Sequence, residues 1–439
     1  MYKRIIFIVT LVLFQRISYA QTLLYFPPVN NNLPWDTISP SSLGWCEEKI
    51  PDLLRFLEGE NSKALIVLKD GRIAIEKYFG SFTKDSLWYW ASAGKTLTSF
   101  LVGKAQEEKF LSITQPSSDF LGKGWTTCTP QQESAITIRH QITMTSGLDD
   151  GVTDNHCTSP SCLLFKAAAG TRWAYHNAPY TFLGKGIENS TGMNINTYTQ
   201  GRLRTSTGIT GLWLTVDEDN VFFSKARSMA RFGVLIRNHC VWNLDTLLHD
   251  TAYVRQMTNT SQGLNESYGY LWWLNGKSSY MLPTTQFVFK GSYAPAAPAD
   301  MYSALGKNGQ ILSISPLKGI IIVRMGDQPN SPASEVATVL CNQIWSYLND
   351  IMCAPNDVED HPLQLDYNIF PNPACQFINV EGKNGVPSQL RLVDLNGRAW
   401  AKARACSGLN VNGVPQGVYI LEITDHHTKF FKKVIIQPE

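Results

Sequence analysis

The stretch from Trp88 to Leu101, Trp-Tyr-Trp-Ala-Ser-Ala-Gly-Lys-Thr-Leu-Thr-Ser-Phe-Leu, constrains the fold of this chain more than any other segment. Its apolar residues predict a buried strand end that opens into a helix. Ser92 and Lys95 stand three residues apart at the start of that helix, so both side chains fall on one face, about one turn apart. We therefore expect the lysine amine to reach the serine hydroxyl.

This serine and lysine form a candidate nucleophile and base. A serine hydroxyl is a poor nucleophile at neutral pH and needs a neighbour that takes its proton. A lysine does so only when neutral, so its pKa must fall below the ordinary value of about 10.4. Apolar flanks such as Trp90 and Phe100, and the partial positive charge of a helix N-terminus, both favour the neutral amine.

The tetrapeptide Ser-x-x-Lys is weak support by itself because it occurs three times in the chain. The copy at residues 81–84 is followed by polar residues, and the copy at 315–318 contains Pro316 beside a predicted turn. Only the copy at 92–95 opens an apolar helix. The catalytic interpretation therefore depends on this setting and on partners elsewhere in the chain.

Candidate partners lie in the segment Trp173-Ala174-Tyr175-His176-Asn177, a predicted loop that runs into an apolar helix near Pro179. The hydroxyl of Tyr175 could pass a proton to the leaving group. The amide of Asn177 could hold a substrate carbonyl or the lysine. His176 is expected to point away from this site.

Residues 1–20 have the pattern of a secretory signal peptide, with two basic residues, an apolar run and a small-residue exit that predicts cleavage after Ala20. No later run reaches the length of a transmembrane segment. The net charge of +2 comes without a basic patch interleaved with aromatic residues, so nucleic acid is not an expected partner. No spacing typical of a metal site or a phosphate-binding loop is present, so no metal or cofactor is expected.

Nine cysteines in an exported protein allow disulfide bonds. Cys157 and Cys162 are close enough in sequence to close a small loop. The odd count leaves at least one thiol free or paired between chains. The remaining connectivity is not readable from the sequence.

Alternating apolar residues predict two hairpins, and apolar periodicity predicts helices around and between them. We place both hairpins in one antiparallel sheet flanked by helices, and we expect the stretch from Ser92 to about Trp273 to be a mostly helical subdomain. This is an α+β catalytic domain with its site in the cleft between the two halves. The predicted hairpins are residues 64–79 and 310–324. The predicted helices include residues 50–57 and 333–351, and a helix in the segment 136–150 that is stopped by Ser146-Gly147.

The order of these motifs resembles one family. Ser92-Ala93-Gly94-Lys95, then residues 138–148, then Tyr175-His176-Asn177 are similar to the serine hydrolases of the beta-lactamase and penicillin-binding-protein superfamily, nearest the class C branch. Residues 223–233, 268–273 and 306–310 are similar to the branch that contains esterases and nylon-oligomer hydrolases.

The resemblance covers roughly residues 42–351 of the domain assigned to residues 42–353, and it implies a beta-lactamase-like fold with an acyl-enzyme mechanism. Ser92 would attack the carbonyl of a small amide or ester while Lys95 and Tyr175 shuttle protons. Backbone N–H groups at Ser92 and on an edge strand would hold the oxyanion.

One element departs from the family pattern. The strand expected to face the serine reads Met301 to Gly306, without the usual lysine or histidine. Ser303, Ala304 and Leu305 are the expected substrate and oxyanion residues on it, since a small side chain lets the strand approach. The missing cation argues against beta-lactams with a carboxylate, unless Lys290-Gly291-Ser292 is a displaced substitute. Trp272 and Trp273 are expected to be core residues, with the rim of an apolar pocket as the alternative.

The C-terminal part changes composition. Residues 354–366 are rich in Pro, Asp, Asn and Glu and are predicted to be a linker. Residues 367–439 contain short alternating strands, which predict a small β-sandwich. Segments 367–373, 393–398 and 415–420 resemble the C-terminal sorting domain of the type IX secretion system. The resemblance implies recognition by that machinery, passage across an outer membrane and release or attachment at the cell surface; a substrate-binding sandwich is the alternative.

The sequence therefore predicts an irregular lead at residues 21–41, a serine hydrolase domain and a sorting domain, in an exported protein. Two alternatives remain open at this point. One is a D-amino-acid peptidase or beta-lactamase that acts on cell-wall-like substrates. The other is an inactive surface protein that keeps the fold for binding.

Overall fold

The chain divides into two compact units, residues 1–353 and 354–439, which are described separately. The computed structural model describes residues 24–330, 336–353, 367–382, 387–394, 398–404, 407–425 and 428–437. The predicted signal peptide and the predicted linker lie outside these residues. Within the described ranges, no helix combines the length and the apolar character needed to cross a membrane.

The first unit contains ten helices and thirteen strands among its described residues. The helices are α1 Ile50–Gly59, α2 Lys95–Glu107, α3 Ser118–Leu121, α4 Pro130–Ser134, α5 Ile138–Ile142, α6 Asn177–Thr191, α7 Ile195–Thr207, α8 Ala226–Arg237, α9 Thr251–Met257 and α10 Thr338–Met352. The strands are β1 Ser62–Lys69, β2 Arg72–Tyr78, β3 Trp88–Tyr89, β4 Gly211–Val216, β5 Asp219–Ser224, β6 Val241–Trp242, β7 Asp245–Thr246, β8 Trp273–Leu274, β9 Ser279–Tyr280, β10 Phe289–Lys290, β11 Tyr302–Gly306, β12 Gln310–Ser315 and β13 Ile320–Gly326.

A six-stranded antiparallel sheet forms the centre of the first unit, in the order β2-β1-β13-β12-β11-β8. Both predicted hairpins lie in it, which confirms that part of the prediction. Helices cover both faces of this sheet. Neighbouring residues of a strand point to opposite sides, so each strand presents side chains to both helical layers. On β12, Leu312 lies against α8 near Gly233, whereas the hydroxyl of Ser313 is 2.9 Å from the indole nitrogen of Trp345 on α10.

The helix predicted from Ile136 to a stop at Ser146-Gly147 is wrong beyond Ile142. Thr137 caps α5, but Met144 already has φ 57°, which does not continue a helix, and Gly147 at the predicted stop has φ 78°. A Cβ at Gly147 would lie 2.2 Å from the carbonyl oxygen of Ala167, so this turn requires glycine. The residues after α5 therefore form a tight loop against residues 163–170 rather than a packing helix.

A second sheet interrupts the stretch that was predicted to be mostly helical. Strands β3, β5 and β4 pair in that order, with β3 leading directly to Ser92. The segment from Gly211 to Ser224 has two short apolar runs, residues 212–214 and 221–223, on either side of the polar pair Asp217 and Glu218, which is a hairpin signal. This hairpin brings its turn to the candidate site.

Two disulfide bonds join described residues of the first unit. Cys157–Cys162 closes the predicted small loop, which confirms that expectation. Cys46–Cys353 links residues 307 positions apart, and only the folded structure brings them together. This second bond ties the segment before α1 to the residue after α10.

The second unit is a sandwich of two antiparallel sheets, as predicted. Strands β14, β15 and β18 form one sheet, and β17, β16, β19 and β20 form the other in that order. Buried residues such as Ile378, Leu392 and Leu421 form the core of this unit. The strands are β14 Tyr367–Phe370, β15 Phe377–Gly382, β16 Gln389–Val393, β17 Ala399–Arg404, β18 Gly408–Asn410, β19 Gly417–Asp425 and β20 Thr428–Ile436.

Candidate active site

The turn that carries Ser92 is fixed by the strand before it and the helix after it. The N–H of Trp90 donates to the carbonyl oxygen of Phe222 on β5, at 2.8 Å. Ala91 then takes φ 47°, a left-handed value that is unfavourable for a residue with a Cβ. A 3-10 turn over Ala91–Gly94 leads into α2 at Lys95. This strained junction presents the half-buried Ser92 at the helix start.

Ser92, Lys95 and Asn177 form one hydrogen-bonded group. The amine of Lys95 lies 3.0 Å from the Ser92 hydroxyl and donates to the amide oxygen of Asn177 at 2.8 Å. Lys95 is only 4% exposed, and its amine is 4.2 Å from the centre of the Tyr180 ring. The two sequence motifs therefore meet as predicted, around a buried amine.

The ring of Tyr175 also lies close to the Lys95 amine. The centre of its ring is 5.2 Å from Lys95 Nζ, and the ring stacks on Trp273 at 5.9 Å between centroids. Trp272 and Trp273 are both buried, as predicted for core residues. The packed aromatic side chains fix the position of Tyr175 beside Lys95.

Strand β11 approaches the serine through Gly306. A Cβ on Gly306 would lie 2.6 Å from Trp90 O and 3.1 Å from Ser92 N, so only glycine fits. Ser303 lies fully buried, with its hydroxyl 3.1 Å from the Tyr293 hydroxyl. Ala304 and Leu305 pair with Leu312 and Ile311 on β12, and both are buried.

Lys307, the residue after β11, lines the cavity at Ser92, and sequence reasoning missed it. A cation is therefore present near the serine, one residue beyond the strand. Lys290, the substitute considered from the sequence, is exposed on β10 and pairs in register with Ser279 on β9. Strand β11 ends at Gly306, and its residue pattern gave no sign that Lys307 would line the cavity.

Ser92 opens into a cavity of about 550 Å³. Its walls combine the catalytic candidates with aromatic residues and with the acidic turn between β4 and β5. The lining residues are Tyr89, Ala91, Ser92, Lys95, Asp154, His156, Tyr180, Val216, Asp217, Glu218, Asp219, Asn220, Val221, Phe223 and Lys307.

His156 and Asp219 belong to this cavity and were not found from the sequence. His156 Nδ1 lies 2.5 Å from a carboxylate oxygen of Asp219, and this contact is the first cause that raises the pKa of His156 above its ordinary value. The other oxygen of Asp219 accepts from the Thr181 hydroxyl at 3.1 Å. One indication that His156 is held in place was present in the sequence: it directly precedes Cys157, which forms the predicted small disulfide loop.

His176, between Tyr175 and Asn177, is 2% exposed. Burial lowers the pKa of His176 to about 4, so its ring is neutral at neutral pH. The cavity is lined by His156 instead.

The first unit combines a serine at a helix start, a buried lysine next to it and a central antiparallel sheet flanked by helices. These features are typical of one class of α+β hydrolases. The sequence profile of the beta-lactamase family matches residues 57–339, and the chain belongs to that family. A second profile, the secretion system C-terminal sorting domain, matches residues 368–437 and indicates export. The protein is therefore a beta-lactamase-family hydrolase with a secretion sorting tail.

Solved structures with the same fold share little sequence with this chain. A candidate 6-aminohexanoate-dimer hydrolase from Bacillus anthracis has a TM-score of 0.55 and 16% identity, over 75% of this chain and 89% of that one. A candidate beta-lactamase from Bacteroides dorei also has a TM-score of 0.55 and 16% identity, over 70% and 99%. EstCE1, a hydrolase with promiscuous acyltransferase activity, has a TM-score of 0.52 and 12% identity, over 70% and 99%. No curated protein matches the sequence.

Proposed function

We propose that this protein is an exported serine hydrolase that cleaves a small amide or ester through an acyl-Ser92 intermediate. The observation that carries the proposal is the contact of the Lys95 amine with both the Ser92 hydroxyl and the Asn177 amide oxygen, at the wall of a cavity. A neutral lysine whose N–H is bound by Asn177 can turn its lone pair to the serine. Ser92 then has the base that a serine nucleophile needs.

The reaction has two halves. In the first, the Ser92 proton moves to Lys95 as the Oγ–carbon bond forms. The tetrahedral intermediate then releases an alcohol or amine, which takes the proton from Lys95 by way of Tyr175. In the second, water adds to the acyl group, the Oγ–carbon bond breaks and Ser92 regains its proton. The N–H of Ser92 and backbone donors on the strand from Ser303 to Leu305, continuing to Gly306, would stabilise the oxyanion.

The lining of the cavity supports a small substrate. Tyr89, Tyr180 and Phe223 give it apolar walls, which suits the acyl chain of an ester or amide. The names of two structural neighbours, a candidate 6-aminohexanoate-dimer hydrolase and a hydrolase with promiscuous acyltransferase activity, are consistent with this kind of reaction.

A D-amino-acid peptidase or beta-lactamase is the second candidate, because Lys307 lines the same cavity. A lysine ammonium there could pair with the carboxylate of a peptide or a beta-lactam. A fluorescent penicillin separates the candidates: covalent labelling of Ser92 by penicillin favours the second, and turnover of p-nitrophenyl esters without penicillin labelling favours the first.

A fluorophosphonate probe tests the nucleophile. We expect the wild type to be labelled on Ser92 and Ser92→Ala to show no labelling, because phosphonylation needs the activated hydroxyl. Mass spectrometry of the labelled peptide locates the adduct. Ser81→Ala is the matched control, since Ser81 begins another Ser-x-x-Lys copy but is exposed, and its labelling should equal that of the wild type.

Folded wild type that takes no label, or a label that persists in Ser92→Ala, would contradict the proposed nucleophile. The first result would favour an inactive binding protein on the same fold.

The sorting domain predicts the route of export. A chain truncated before Asp366 should remain inside the envelope of the producing cell, because the domain that the secretion machinery recognises is gone. Cell fractionation with an antibody against the first unit measures this. The control is a full-length chain with Ser92→Ala, which should be exported normally. Normal surface display of the truncated chain would count against a sorting role.

A further inference from the structure

We propose that His156 is a positioning residue, whose neutral ring holds the Asn177 amide with its oxygen turned to Lys95. The inference rests on the proposed function, since its purpose is to orient the base of that reaction. Nothing in the family resemblance or in the motifs of the sequence points to this histidine. It is carried by the hydrogen bonds that surround the Asn177 side chain.

The Asn177 side chain has described partners on both of its polar atoms. Its oxygen accepts from Lys95 at 2.8 Å. Its nitrogen donates to the side-chain oxygen of Asn155 at 3.1 Å and lies 3.1 Å from His156 Nε2. An amide group has two N–H bonds to give, and these two acceptors use both. The amide oxygen is therefore directed to Lys95.

The tautomer of His156 follows from its second partner. A carboxylate of Asp219 can only accept, and it lies 2.5 Å from Nδ1, so Nδ1 carries the proton. Nε2 then has a free lone pair, which accepts from the Asn177 amide. Asp219 in turn is bound by Thr181 on α6, the helix that begins at Asn177. A line of contacts thus runs from Asp219 through His156 and Asn177 to Lys95.

The loop that carries His156 is fastened at several points. The Cys157–Cys162 disulfide closes it on one side. The hydroxyl of Thr158 donates to Glu218 at 2.5 Å, and the backbone N–H of Thr158 also bonds that carboxylate. Glu218 and Asp219 both belong to the β4–β5 hairpin, so Thr158 and His156 together hold the loop to it through three contacts. His156 can therefore transmit a fixed orientation to Asn177.

Protonation of His156 would break this arrangement. A second proton on Nε2 would face the N–H₂ of Asn177, and two donors repel each other. The amide must then turn over or move away, and either change takes its oxygen from Lys95. Turnover should therefore depend on the neutral form of His156.

The charges around His156 set the pH at which its ring becomes protonated. Asp219, on β5, and Asp154, on the same loop as His156, favour the protonated ring, whereas burial opposes it, as does Lys95 on α2 in its charged form. The net effect raises the pKa of His156, so protonation begins at a higher pH than for an ordinary histidine. His176, the other nearby histidine, is neutral at neutral pH. As the pH falls through the raised pKa, the active orientation is lost.

Two substitutions separate positioning from packing. His156→Gln keeps an acceptor and does not titrate, so its kcat should stay within about threefold of the wild type at alkaline pH while its acid limb moves to lower pH. His156→Leu removes the acceptor, so its kcat should fall roughly tenfold or more at every pH with little change in KM. Activity is measured with a p-nitrophenyl ester from pH 5 to about 9.

The matched control is His249→Gln. His249 also faces a carboxylate, with Nδ1 3.4 Å from Glu107, but it lies at the far end of α2, about 20 Å from Ser92 by helix length. Its pH profile should match that of the wild type. An unchanged acid limb in His156→Gln, or an unchanged kcat in His156→Leu, would overturn the inference.

Nuclear magnetic resonance keeps this test separate from the proposed function. In wild-type protein, long-range proton–nitrogen spectra should show His156 with its proton on Nδ1 at alkaline pH, and the Asn177 amide signals should shift as His156 titrates. A proton on Nε2 at alkaline pH would refute the inference even in an active enzyme. A wild type that neither labels with fluorophosphonate nor turns over esters would refute the proposed function alone.

Discussion

Replacing Lys95 with Met should lower kcat for ester hydrolysis by about 10³-fold or more, because loss of a general base typically costs about 10²- to 10⁴-fold. Methionine keeps much of the length and volume of the side chain, so the buried position stays filled. The Ser92 hydroxyl, 3.0 Å from the lysine nitrogen, would lose the group that takes its proton. Burst kinetics with a p-nitrophenyl ester measure the effect on acylation directly.

Two further substitutions distinguish the role of Lys95 as a base from a role of its charge alone and from an effect of changed packing in α2. Lys95→Arg keeps a cation but cannot give up its proton, so it should be as inactive as Lys95→Met. Lys104→Met changes a lysine on the same helix that is 2.7 Å from Glu107, and its kcat should be close to that of the wild type. Substantial turnover by a folded Lys95→Met would show that Lys95 is not the base.

The sequence predicts the central sheet because local patterns decide it. Each hairpin of this sheet alternates apolar and polar residues or runs apolar without a break between turns, and these patterns need no knowledge of distant residues. The helix predicted from Ile136 to a stop at Ser146-Gly147 is present only over α5, for a different reason. Its apolar spacing is real, but Met144 and Gly147 take positive φ values because the following residues pack against residues 163–170. Tertiary contacts of that kind leave no mark on the local pattern.

In the candidate site, too, the residues brought together by local structure were predictable from local patterns, and those brought together by tertiary contacts were not. Ser92 and Lys95 are neighbours on one turn, so helical geometry alone brings them together. Asn177 was a candidate from its own segment, as an amide that could hold a substrate carbonyl or the lysine, but its 2.8 Å contact with Lys95 spans 82 residues and needs the folded structure. His156 and Asp219 are 63 residues apart and meet only because the disulfide loop and the β4–β5 hairpin fold over one cavity.

The approach of β11 to the serine shows what sequence reasoning leaves open even when the strand is correctly identified. The strand was predicted, and Ser303, Ala304 and Leu305 remain the predicted oxyanion side. The contact with the Ser92 backbone is made by Gly306, and Lys307 faces the cavity. The register of a strand against a helix start depends on packing, so a shift of one or two residues is invisible in the sequence.

Arg324 on β13 is expected to be the most sensitive structural position of the first unit. It is fully buried, and its guanidinium donates to the side chain of Ser62 and to the carbonyl oxygens of residues before, inside and after the central sheet. Burial lowers the pKa of Arg324 to about 10, which leaves the group charged at neutral pH. The acceptors are Ser62 Oγ at 3.0 Å, Asn308 O at 2.6 Å, Gly309 O at 3.0 Å, Glu60 O at 2.6 Å and Asp327 O at 3.2 Å.

Arg324→Leu should lower the free energy of unfolding by about 3–5 kcal/mol, because several buried carbonyl oxygens lose their donor and each unsatisfied group costs about 1–3 kcal/mol before relaxation. The effect should also reach the site, since Asn308 and Gly309 belong to the turn that begins with Lys307. Urea unfolding followed by tryptophan fluorescence measures the stability of the first unit, because every tryptophan except Trp400 lies in it.

Arg324→Lys, with three donors instead of five, should have a stability between those of the wild type and Arg324→Leu. Arg55→Leu removes an exposed arginine that is 3.0 Å from Asp52, and should cost less than about 0.5 kcal/mol. Equal stabilities of Arg324→Leu and Arg55→Leu would mean that the buried guanidinium does not hold these segments together.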